Sequence, residues 1–217
     1  MDFNLMEWLL DSADAKDWER VSPSGLFSAV TTNPLLIQRA GLKCSIDTYK
    51  ALHDQAMDLG FEHLQLQVFG ENWEVMAEQI LSISDKTIVK IPANERGFAL
   101  ATKLAVPKRT TITGVYSVHL GSAAERLGVA YAAPYYARLA ESERDVEVIF
   151  AGLRAACQNT KILVASLRSI EQFEHLISAG HRCFTIPGAL LDDLMSDEMT
   201  EAAIAQFEEA ARWSGLE

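Results

Sequence analysis

A lysine inside an apolar, strand-like segment is the residue of this sequence with the clearest capacity for chemistry. Lys90 stands in the segment Thr87–Pro92, whose β-branched residues favour a buried strand and whose proline ends it by donating no ladder hydrogen bond. Burial disfavours an ammonium and lowers its pKa, and a neutral lysine amine can form a Schiff base with a carbonyl compound. The structural alternative is a lysine that reaches water or pairs with a carboxylate.

Mostly polar residues stand at the ends of the other apolar segments, where they can complete a site around Lys90. In chain order these candidates are Asp11, Thr31, Asn33, Gln67, Thr113, Ala133, Tyr135, Arg138, Ser166 and Arg168. Schiff-base chemistry needs acid/base groups that move protons on and off substrate hydroxyls. Guanidinium groups match the oxygens of a phosphate. Taken singly, each candidate also has an ordinary explanation, such as a helix cap, a turn or a solvated helix start.

A repeated pattern of apolar segment, turn and amphipathic segment must position these residues. The predicted strands are Met6–Leu10, Leu26–Val30, His63–Val68, Thr87–Ile91, Thr110–Thr113, Val129–Ala133, Lys161–Ala165 and Arg182–Ile186. The predicted helices include Ser45–Leu59, Trp73–Ser82, Arg96–Leu104, Val118–Leu127, Asp145–Cys157 and Ser169–Ser178. Eight strands that alternate with helices indicate parallel pairing through crossover connections.

The spacing of these units predicts one α/β domain over residues 1–217, a (β/α)8 TIM barrel. Strand ends lie about 25 residues apart, and such a barrel needs only about 200–250 residues. An open, doubly wound sheet is the alternative. It is disfavoured because Asp11-Ser12-Ala13-Asp14 follows the first strand, where a glycine-rich phosphate fingerprint would stand. In a barrel the catalytic residues come from the carboxyl ends of the strands, where the polar candidates stand.

The tail from Ser196 to Glu217 predicts an extra C-terminal helix. Ala203, Ile204, Phe207 and Ala211 fall at spacings that share one helical face. An apolar face of this kind needs a cover, so we expect it to pack on the barrel mouth or on a neighbouring subunit.

Composition excludes several classes of function. The net charge of −11 argues against binding to nucleic acid or an anionic membrane, and no apolar run approaches the roughly 18 residues of a membrane span. The N-terminus lacks a signal-peptide pattern, and the three cysteines and five histidines show no disulfide or metal-ligand spacing. We therefore expect a cytoplasmic protein that needs no metal and no other cofactor.

Short motifs along nearly the whole chain combine into a specific pattern. They are Leu10-Asp11-Ser12-Ala13-Asp14, Val30-Thr31-Thr32-Asn33-Pro34, Gln65-Leu66-Gln67-Val68, Ile88-Val89-Lys90-Ile91-Pro92, Thr113-Gly114-Val115-Tyr116, Tyr131-Ala132-Ala133-Pro134-Tyr135, Arg138, Val164-Ala165-Ser166-Leu167-Arg168, Ala179-Gly180 and Thr185-Ile186-Pro187. In this order they resemble the transaldolase family, and within it the small fructose-6-phosphate aldolase-like branch.

The resemblance implies a (β/α)8 barrel and a metal-free class I mechanism in which Lys90 forms the Schiff base. The residues it assigns to catalysis are Lys90, Asp11 as acid/base, and Gln67, Thr113 and Tyr135 around a catalytic water. The residues it assigns to substrate binding are Thr31, Asn33, Ala133, Arg138, Ser166 and Arg168, the last three at a phosphate site. The expected partners are therefore a sugar phosphate, or a small ketone with an aldehyde.

The resemblance also bears on the reaction type. In the family, glutamate on the third strand with phenylalanine after the sixth marks transaldolases, whereas glutamine with tyrosine marks aldolases. Gln67 and Tyr135 resemble the aldolase type. We therefore expect the enzyme to cleave or form the C3–C4 bond of a ketose phosphate such as fructose 6-phosphate, giving dihydroxyacetone and glyceraldehyde 3-phosphate.

Three alternatives remain open. A transaldolase of the pentose phosphate pathway would transfer the dihydroxyacetone unit between sugar phosphates. A non-catalytic barrel would bind sugar phosphates through Arg138 and Arg168 alone. A deoxyribose-phosphate-type aldolase would also use a lysine, although the VTTNP and ASxR motifs favour transaldolase kinship.

Two segments depart from the family pattern. After Arg138, family members continue with an aspartate and a glycine-rich loop, whereas this chain has Leu139–Asp145, with extra carboxylates near the expected phosphate entrance. The loop Phe69–Trp73 also differs, and Trp73 is a candidate to reshape the mouth. Family members of this size form pentamer rings, often stacked as decamers, through the C-terminal helix. The resemblance thus implies a homo-oligomer.

Overall fold

Eight parallel strands close into a barrel in the computed structural model, which describes residues 6–213. The strands are β1 (Glu7–Asp11), β2 (Ala29–Thr31), β3 (Leu64–Gln67), β4 (Thr87–Pro92), β5 (Thr110–Val115), β6 (Tyr131–Pro134), β7 (Lys161–Val164) and β8 (Cys183–Pro187). Each strand pairs with the next in the chain, and β8 pairs with β1 in the register Leu9 to Thr185. The predicted (β/α)8 barrel is confirmed, and the open-sheet alternative is wrong.

The helices surround this barrel in the order that the sequence pattern indicates. They are α1 (Ala15–Val21), α2 (Pro34–Arg39), α3 (Ile46–Asp58), α4 (Trp73–Ile83), α5 (Glu95–Leu104), α6 (Val118–Leu127), α7 (Tyr136–Ala140), α8 (Val146–Ala156), α9 (Ile170–Ser178), α10 (Leu191–Leu194) and α11 (Glu198–Trp213). The short helices α1, α2, α7 and α10 were not predicted. Helices of four to seven residues are too short to show a clear amphipathic period.

Strand boundaries differ from the prediction by at most three residues, and the predicted starts at Thr87, Thr110 and Lys161 are confirmed. The largest difference is at β2, which begins at Ala29 instead of Leu26. Gly25 adopts a left-handed φ of 65°, and Leu26 is 47% exposed, because the chain is still turning there. The apolar side chain of Leu26 therefore does not indicate that this residue belongs to a strand.

Two apolar layers hold the barrel and its helices together. The outer layer lies between strands and helices and includes Leu10, Val30, Val89 and Ile112. The inner layer fills the barrel and consists of Leu9, Ala29, Ile88, Tyr131, Ala133, Leu163 and Cys183. Alternation along each strand produces both layers, since successive residues point to opposite faces. The inner layer seals the barrel below its carboxyl-terminal mouth.

An ion pair closes the amino-terminal end of the barrel. Lys161 at the start of β7 pairs with Glu7 at the start of β1, and the Tyr131 hydroxyl donates to Glu7 over 2.8 Å. These contacts hold the pKa of Glu7 below its usual value, although burial acts in the opposite direction. The floor of the barrel is thus polar but paired, and the open end lies at the other side.

The C-terminal helix is present, but its apolar face is uncovered. α11 spans Glu198–Trp213, whereas the last four residues of the predicted tail lie outside the described part of the chain. None of its residues is buried, and Phe207 is 70% exposed. Of the two covers expected for this face, its own barrel is not the one used, because no described residue of α11 is buried, and packing on a neighbouring subunit stays a prediction. No helix within residues 6–213 is long and apolar enough to cross a membrane.

Candidate active site

A cavity of about 360 Å³ opens at the carboxyl ends of the barrel strands. Nine of the eleven predicted site residues line it: Asp11, Asn33, Lys90, Thr113, Ala133, Tyr135, Arg138, Ser166 and Arg168. They come from six strands or the turns that follow them, which is the arrangement expected of a barrel active site. The structure therefore brings together residues that are up to 157 positions apart in the chain.

Lys90 lies on the inner side of β4 and reaches this cavity from below. Its side chain is nearly inaccessible, with 4% relative exposure, and no carboxylate in the described residues forms an ion pair with it. Within residues 6–213 the side chain of Lys90 therefore neither extends into bulk solvent nor forms an ion pair at contact distance. Burial lowers the pKa of Lys90, and the negative charge of Asp11 opposes that shift.

Asp11 ends β1 on the same side of the cavity and is held by hydroxyl groups. The Thr31 hydroxyl donates to Asp11 Oδ1 over 2.8 Å and also lies 2.7 Å from the Thr185 hydroxyl. Burial raises the pKa of Asp11, while Lys90, the Thr31 hydrogen bond, Arg138 and Arg39 act against that rise. Thr31 does not line the cavity itself, so the structure places it beneath Asp11 as a support.

The pKa values of Lys90 and Asp11 thus move towards each other. Burial favours the neutral amine and the neutral carboxyl, whereas the attraction between the two charges favours the ionised forms. A shift of the two pKa values towards each other lowers the cost of moving a proton between the groups. This arrangement suits a site that must both offer a neutral amine and move protons.

Tyr135 and Thr113 form a second hydroxyl pair at the carboxyl ends of β6 and β5. Their side-chain oxygens are 2.9 Å apart, and burial raises the pKa of Tyr135, so that its phenol keeps its proton. The ring is fixed by an edge contact with Tyr116, with centroids 5.7 Å apart. Two adjacent hydroxyls of this kind can hold one water molecule and orient its protons.

Asn33 serves first as a helix cap. Its Oδ1 accepts hydrogen bonds from the backbone N–H groups of Leu35 and Leu36 at the start of α2. The cap fixes the side chain, so that its amide N–H₂ group remains to bind a hydroxyl in the cavity. The capping and the substrate-binding interpretations are therefore compatible.

Gln67 is the predicted catalytic residue that the structure does not bring to the cavity wall. It ends β3 beside Lys90 in the sheet register, and its backbone oxygen accepts a hydrogen bond from Tyr49 over 2.7 Å. Its side chain is partly buried and is not among the residues that line the cavity. Its proposed contact with a catalytic water stays a prediction.

Arg138 is positioned by aromatic side chains. Its guanidinium carbon lies 4.9 Å from the centre of the Tyr135 ring, and Nη1 is 3.4 Å from the Tyr116 hydroxyl. Stacking on a ring orients a guanidinium without neutralising its charge. Within residues 6–213 no carboxylate pairs with Arg138, so its charge is available to the cavity.

Ser166 adopts an unusual backbone conformation at the cavity rim. Its φ of 61° lies in the left-handed region, which a residue with a Cβ adopts at a cost of roughly 1–2 kcal/mol. Its carbonyl accepts a hydrogen bond from Ala137 N, and Ala165 O accepts one from Tyr136 N. The turn after β7 is therefore joined to the start of α7, which carries Arg138.

Arg168 lines the cavity but already has a partner. Its guanidinium makes a two-pronged ion pair with Glu141, in which Nη2 lies 2.9 Å from Oε2. Both side chains are about half exposed, with relative accessibilities of 55% each. Glu141 belongs to the divergent segment Leu139–Asp145, so one of the extra carboxylates of that segment does reach the predicted phosphate site.

Sequence reasoning missed some cavity residues and misplaced one loop residue. Arg39 lines the cavity as the last residue of α2, and Thr185 supports Asp11 through Thr31. α2 is six residues long, about 9 Å, and begins after Asn33, which lines the cavity. A long side chain at the end of so short a helix still reaches the same cavity. Trp73 does not line this cavity; it packs under Arg96 in a separate groove, so the expectation that it reshapes the mouth is wrong.

Fold and site together define a parallel (β/α)8 barrel with a buried lysine, a carboxyl group and arginine side chains at its carboxyl-terminal mouth. The chain belongs to the Transaldolase/Fructose-6-phosphate aldolase family, whose family model matches residues 8–216. The predicted family membership is confirmed. It supports an enzyme of the aldolase/transaldolase class.

Curated relatives cover almost the whole chain. A protein of Maridesulfovibrio salexigens, named a probable transaldolase, is 30% identical over 220 residues, which is 97% of this chain and 99% of that protein. A protein of Listeria monocytogenes, named probable transaldolase 2, is 28% identical over 210 residues and covers 93% of this chain and 94% of its own length.

Solved structures share the fold at much lower identity. A HpcH/Hpal aldolase/citrate lyase family protein from Burkholderia cenocepacia superposes with a TM-score of 0.68 at 13% identity, covering 95% of this chain and 96% of its own. The citrate synthase SbnG gives a TM-score of 0.61 at 12% identity, with 96% of both chains covered. At such identities these similarities concern the barrel alone.

Proposed function

We propose that this protein is a class I aldolase that cleaves or forms the C3–C4 bond of a ketose phosphate such as fructose 6-phosphate. The products of cleavage are dihydroxyacetone and glyceraldehyde 3-phosphate. The observation that carries the proposal is Lys90: a buried lysine with lowered pKa, without an ion-pair partner in residues 6–213, in a cavity shared with Asp11. We further propose that it acts in the cytoplasm, in pentose phosphate metabolism.

The chemistry follows from the positions of these groups. The neutral Lys90 amine adds to the C2 carbonyl, and loss of water gives an iminium, which withdraws electrons from the C3–C4 bond. Asp11 takes the proton from the C4 hydroxyl as that bond breaks, the aldehyde leaves, and the electron pair remains on C3 as an enamine. Protonation of C3 and addition of water to the iminium then release dihydroxyacetone and restore Lys90.

The step that separates an aldolase from a transaldolase is the protonation of the enamine. The Tyr135 phenol, 2.9 Å from the Thr113 hydroxyl, can orient a water that delivers this proton. A residue without a hydroxyl at position 135 would leave the enamine to react with a second aldehyde instead. The pair Gln67 and Tyr135, which resembles the aldolase type of the family, supports release.

Transaldolase is the second candidate function, and one finding favours it. The curated relatives at 28–30% identity carry the name probable transaldolase. A transaldolase would use the same Lys90 and Asp11 but would hold the enamine until an aldose phosphate enters. Both functions need an iminium, so they share the first test and differ only in the second.

The first test is covalent trapping of the iminium. We expect incubation with fructose 6-phosphate or dihydroxyacetone and borohydride to add the reduced ketone to Lys90, as read by intact mass and peptide mapping. Lys161→Ala is the control, since Lys161 is the paired lysine at the other end of the barrel and its loss should leave trapping intact. Absence of an adduct on Lys90 would refute the Schiff-base mechanism for these substrates.

The second test separates release from transfer. With fructose 6-phosphate and erythrose 4-phosphate present, we expect the natural protein to release free dihydroxyacetone. The double variant Gln67→Glu/Tyr135→Phe should shift the product ratio towards transfer. Tyr136→Phe is the matched control, because it removes a phenol from the adjacent residue, which bonds Glu147 outside the cavity. Transfer without release by the natural protein would favour transaldolase, and an unchanged ratio in the double variant would remove Gln67 and Tyr135 as support for an aldolase.

We also infer that the protein forms a homo-oligomer through α11, as a pentamer or decamer. The support is the uncovered apolar face of this helix, with Ile204 46% and Phe207 70% exposed. Phe207→Glu should lower the mass measured by light scattering, whereas Val148→Glu, at an equally exposed position on α8, should not. A monomeric natural protein would contradict the inference.

A further inference from the structure

The two arginines of the predicted phosphate site are not equivalent, and the difference lies in one carboxylate. Arg168 is engaged on both prongs by Glu141, whereas Arg138 is stacked on Tyr135 and pairs with no carboxylate of the described residues. The N–H groups of Nη1 and Nη2 that Glu141 engages cannot bind a phosphate at the same time, which leaves Arg168 with fewer donors for that ligand. The outer half of the phosphate site therefore starts out partly filled.

Glu141 is held in this place by the local backbone. It follows the last residue of α7, and its N–H donates to the carbonyl of Ala137 over 3.1 Å. Ser142 Oγ donates to the carbonyl of Leu139, and Arg144 Nη1 donates to the carbonyl of Tyr116, so the segment after Glu141 is anchored as well. Glu141 also follows Arg138 by three residues, a spacing that puts both on one side of a helical turn.

The strength of the ion pair between Arg168 and Glu141 determines whether a phosphate can displace Glu141. Both partners are about half exposed, and exposed ion pairs are weak because water screens them. Glu141 therefore adds little to the stability of the fold, and a phosphate can displace it. The displacement still costs binding, since the pair must break and the carboxylate must then remain near a phosphate dianion.

We propose that Glu141 is a specificity-determining residue that competes with the phosphate of the substrate for Arg168. This deepens the proposed function, on which its catalytic consequence rests. The carboxylate lowers the preference for a phosphorylated acceptor aldehyde relative to an unphosphorylated hydroxyaldehyde. Arg138, together with Arg39 on the opposite side of the mouth, supplies the positive charge that is free in the resting site.

The primary experiment measures binding of inorganic phosphate by calorimetry and does not depend on turnover. Glu141→Gln keeps the size of the side chain but removes its charge, and we expect it to tighten phosphate binding about three- to tenfold. Glu143→Gln is the matched control, since Glu143 is an exposed carboxylate of the same loop without an ion pair in the structure, and it should bind as the natural protein does. Equal affinities for Glu141→Gln and Glu143→Gln would overturn the proposal.

A double variant tests whether the effect passes through Arg168. In Glu141→Gln/Arg168→Gln the gain in phosphate affinity should disappear, because the guanidinium that Glu141 pairs with in the natural protein is absent. A gain that persists would mean that Glu141 acts through the general field of the loop, which would overturn the proposal as well.

The kinetic arm links binding to catalysis. We expect Glu141→Gln to raise kcat/KM for glyceraldehyde 3-phosphate by about three- to tenfold relative to unphosphorylated glyceraldehyde, with dihydroxyacetone as donor. Failure of the class I mechanism would appear as absent trapping on Lys90, with the phosphate-binding result unaffected. Failure of the present proposal would appear as normal trapping with an unchanged preference.

Discussion

The inner wall and the outer rim of the cavity are built differently. The inner wall, with Lys90, Asp11 and Thr113, consists of strand residues, of which Lys90 and Thr113 are buried and Asp11 is partly exposed. Asp11 is hydrogen-bonded to Thr31 of β2, and Thr113 to Tyr135, the residue after β6. The rim, with Arg138, Ser166 and Arg168, consists of turn and helix residues that are partly exposed and joined by a weak ion pair and a strained backbone. The ion pair at the rim is exposed to water and can therefore exchange partners, whereas the hydrogen bonds of the inner wall are largely shielded from water.

This difference matches the demands of the two ends of a substrate. A carbonyl that must form an iminium needs an amine and a carboxyl group whose pKa values are fixed by burial. The distal group of a substrate only needs to be bound and released, which suits exposed charges. We therefore expect substitutions in the inner wall to reduce turnover strongly and substitutions at the rim to alter selectivity.

The largest effect is expected for Lys90. Lys90→Ala should lower turnover by at least about 10³-fold, because no other lysine of residues 6–213 lines the cavity to form the iminium. Circular dichroism should show an intact fold, since removing a buried, unpaired amine does not cost a hydrogen bond. Appreciable activity in Lys90→Ala would mean that the reaction does not depend on Lys90. Substitutions in the inner wall would then no longer be expected to reduce turnover more than those at the rim.

Asp11→Asn should have the next largest effect and should also alter the pH dependence of trapping. We expect kcat to fall about 10²- to 10⁴-fold through loss of the acid/base group. Burial lowers the pKa of Lys90 from its ordinary 10.5, and the charge of Asp11 opposes that shift. Trapping in the natural protein should therefore rise with pH to a midpoint below 10.5. Removing the opposing charge should move the midpoint to still lower pH, measured with cyanoborohydride across a pH series. A midpoint moved upward would contradict the coupling.

At the rim, the two arginines should differ in a way that their sequence motifs do not indicate. Arg138→Gln should raise KM for a phosphorylated substrate about 10- to 100-fold, because a free charge is lost from the site. Arg168→Gln should raise KM less than about fivefold, since Glu141 already engages that charge. Steady-state kinetics on both variants measure the contrast, and equal effects would remove the distinction between them.

The sequence predicted which residues of the inner wall and of the rim reach the cavity, but not how the rim residues pair, for a physical reason. Residues at strand ends such as Asp11, Lys90 and Thr113 are positioned by backbone pairing, which follows from strand patterns and barrel closure. The pairing of Arg168 with Glu141, 27 residues apart, depends on where α7 lies relative to the turn after β7. No periodicity in the sequence encodes the distance between Arg168 and Glu141. The departure from the family pattern therefore indicated extra carboxylates near the phosphate entrance but did not identify Arg168 as their partner.

Helix patterns show the same limit. The apolar face of α11 was visible in the sequence, but the choice between its own barrel and a neighbour was not, because periodicity reports only that a face is apolar. Arg39 was missed for a related reason. It ends a six-residue helix that begins at Asn33, and only the direction of α2 over the mouth brings it to the cavity.

The smallest expected effect concerns backbone strain at the rim, and it separates strain that accompanies function from strain that does not. Ser166 and Ala105 are the described non-glycine residues with positive φ, at 61° and 51°. The variant Ser166→Gly should have a free energy of unfolding about 1 kcal/mol higher than that of Ser166→Ala. Only glycine adopts the left-handed region of φ without a steric penalty.

Ala105→Gly is the matched control, since it relieves the same kind of strain at the end of α5, outside the cavity. Chemical denaturation measures both stabilities. Ala105→Gly should keep full activity, whereas Ser166→Gly should lose affinity for phosphate together with its hydroxyl. If Ser166→Gly kept that affinity, the serine would not bind the ligand, and the turn conformation that joins Ser166 to α7 would be the feature that the rim requires.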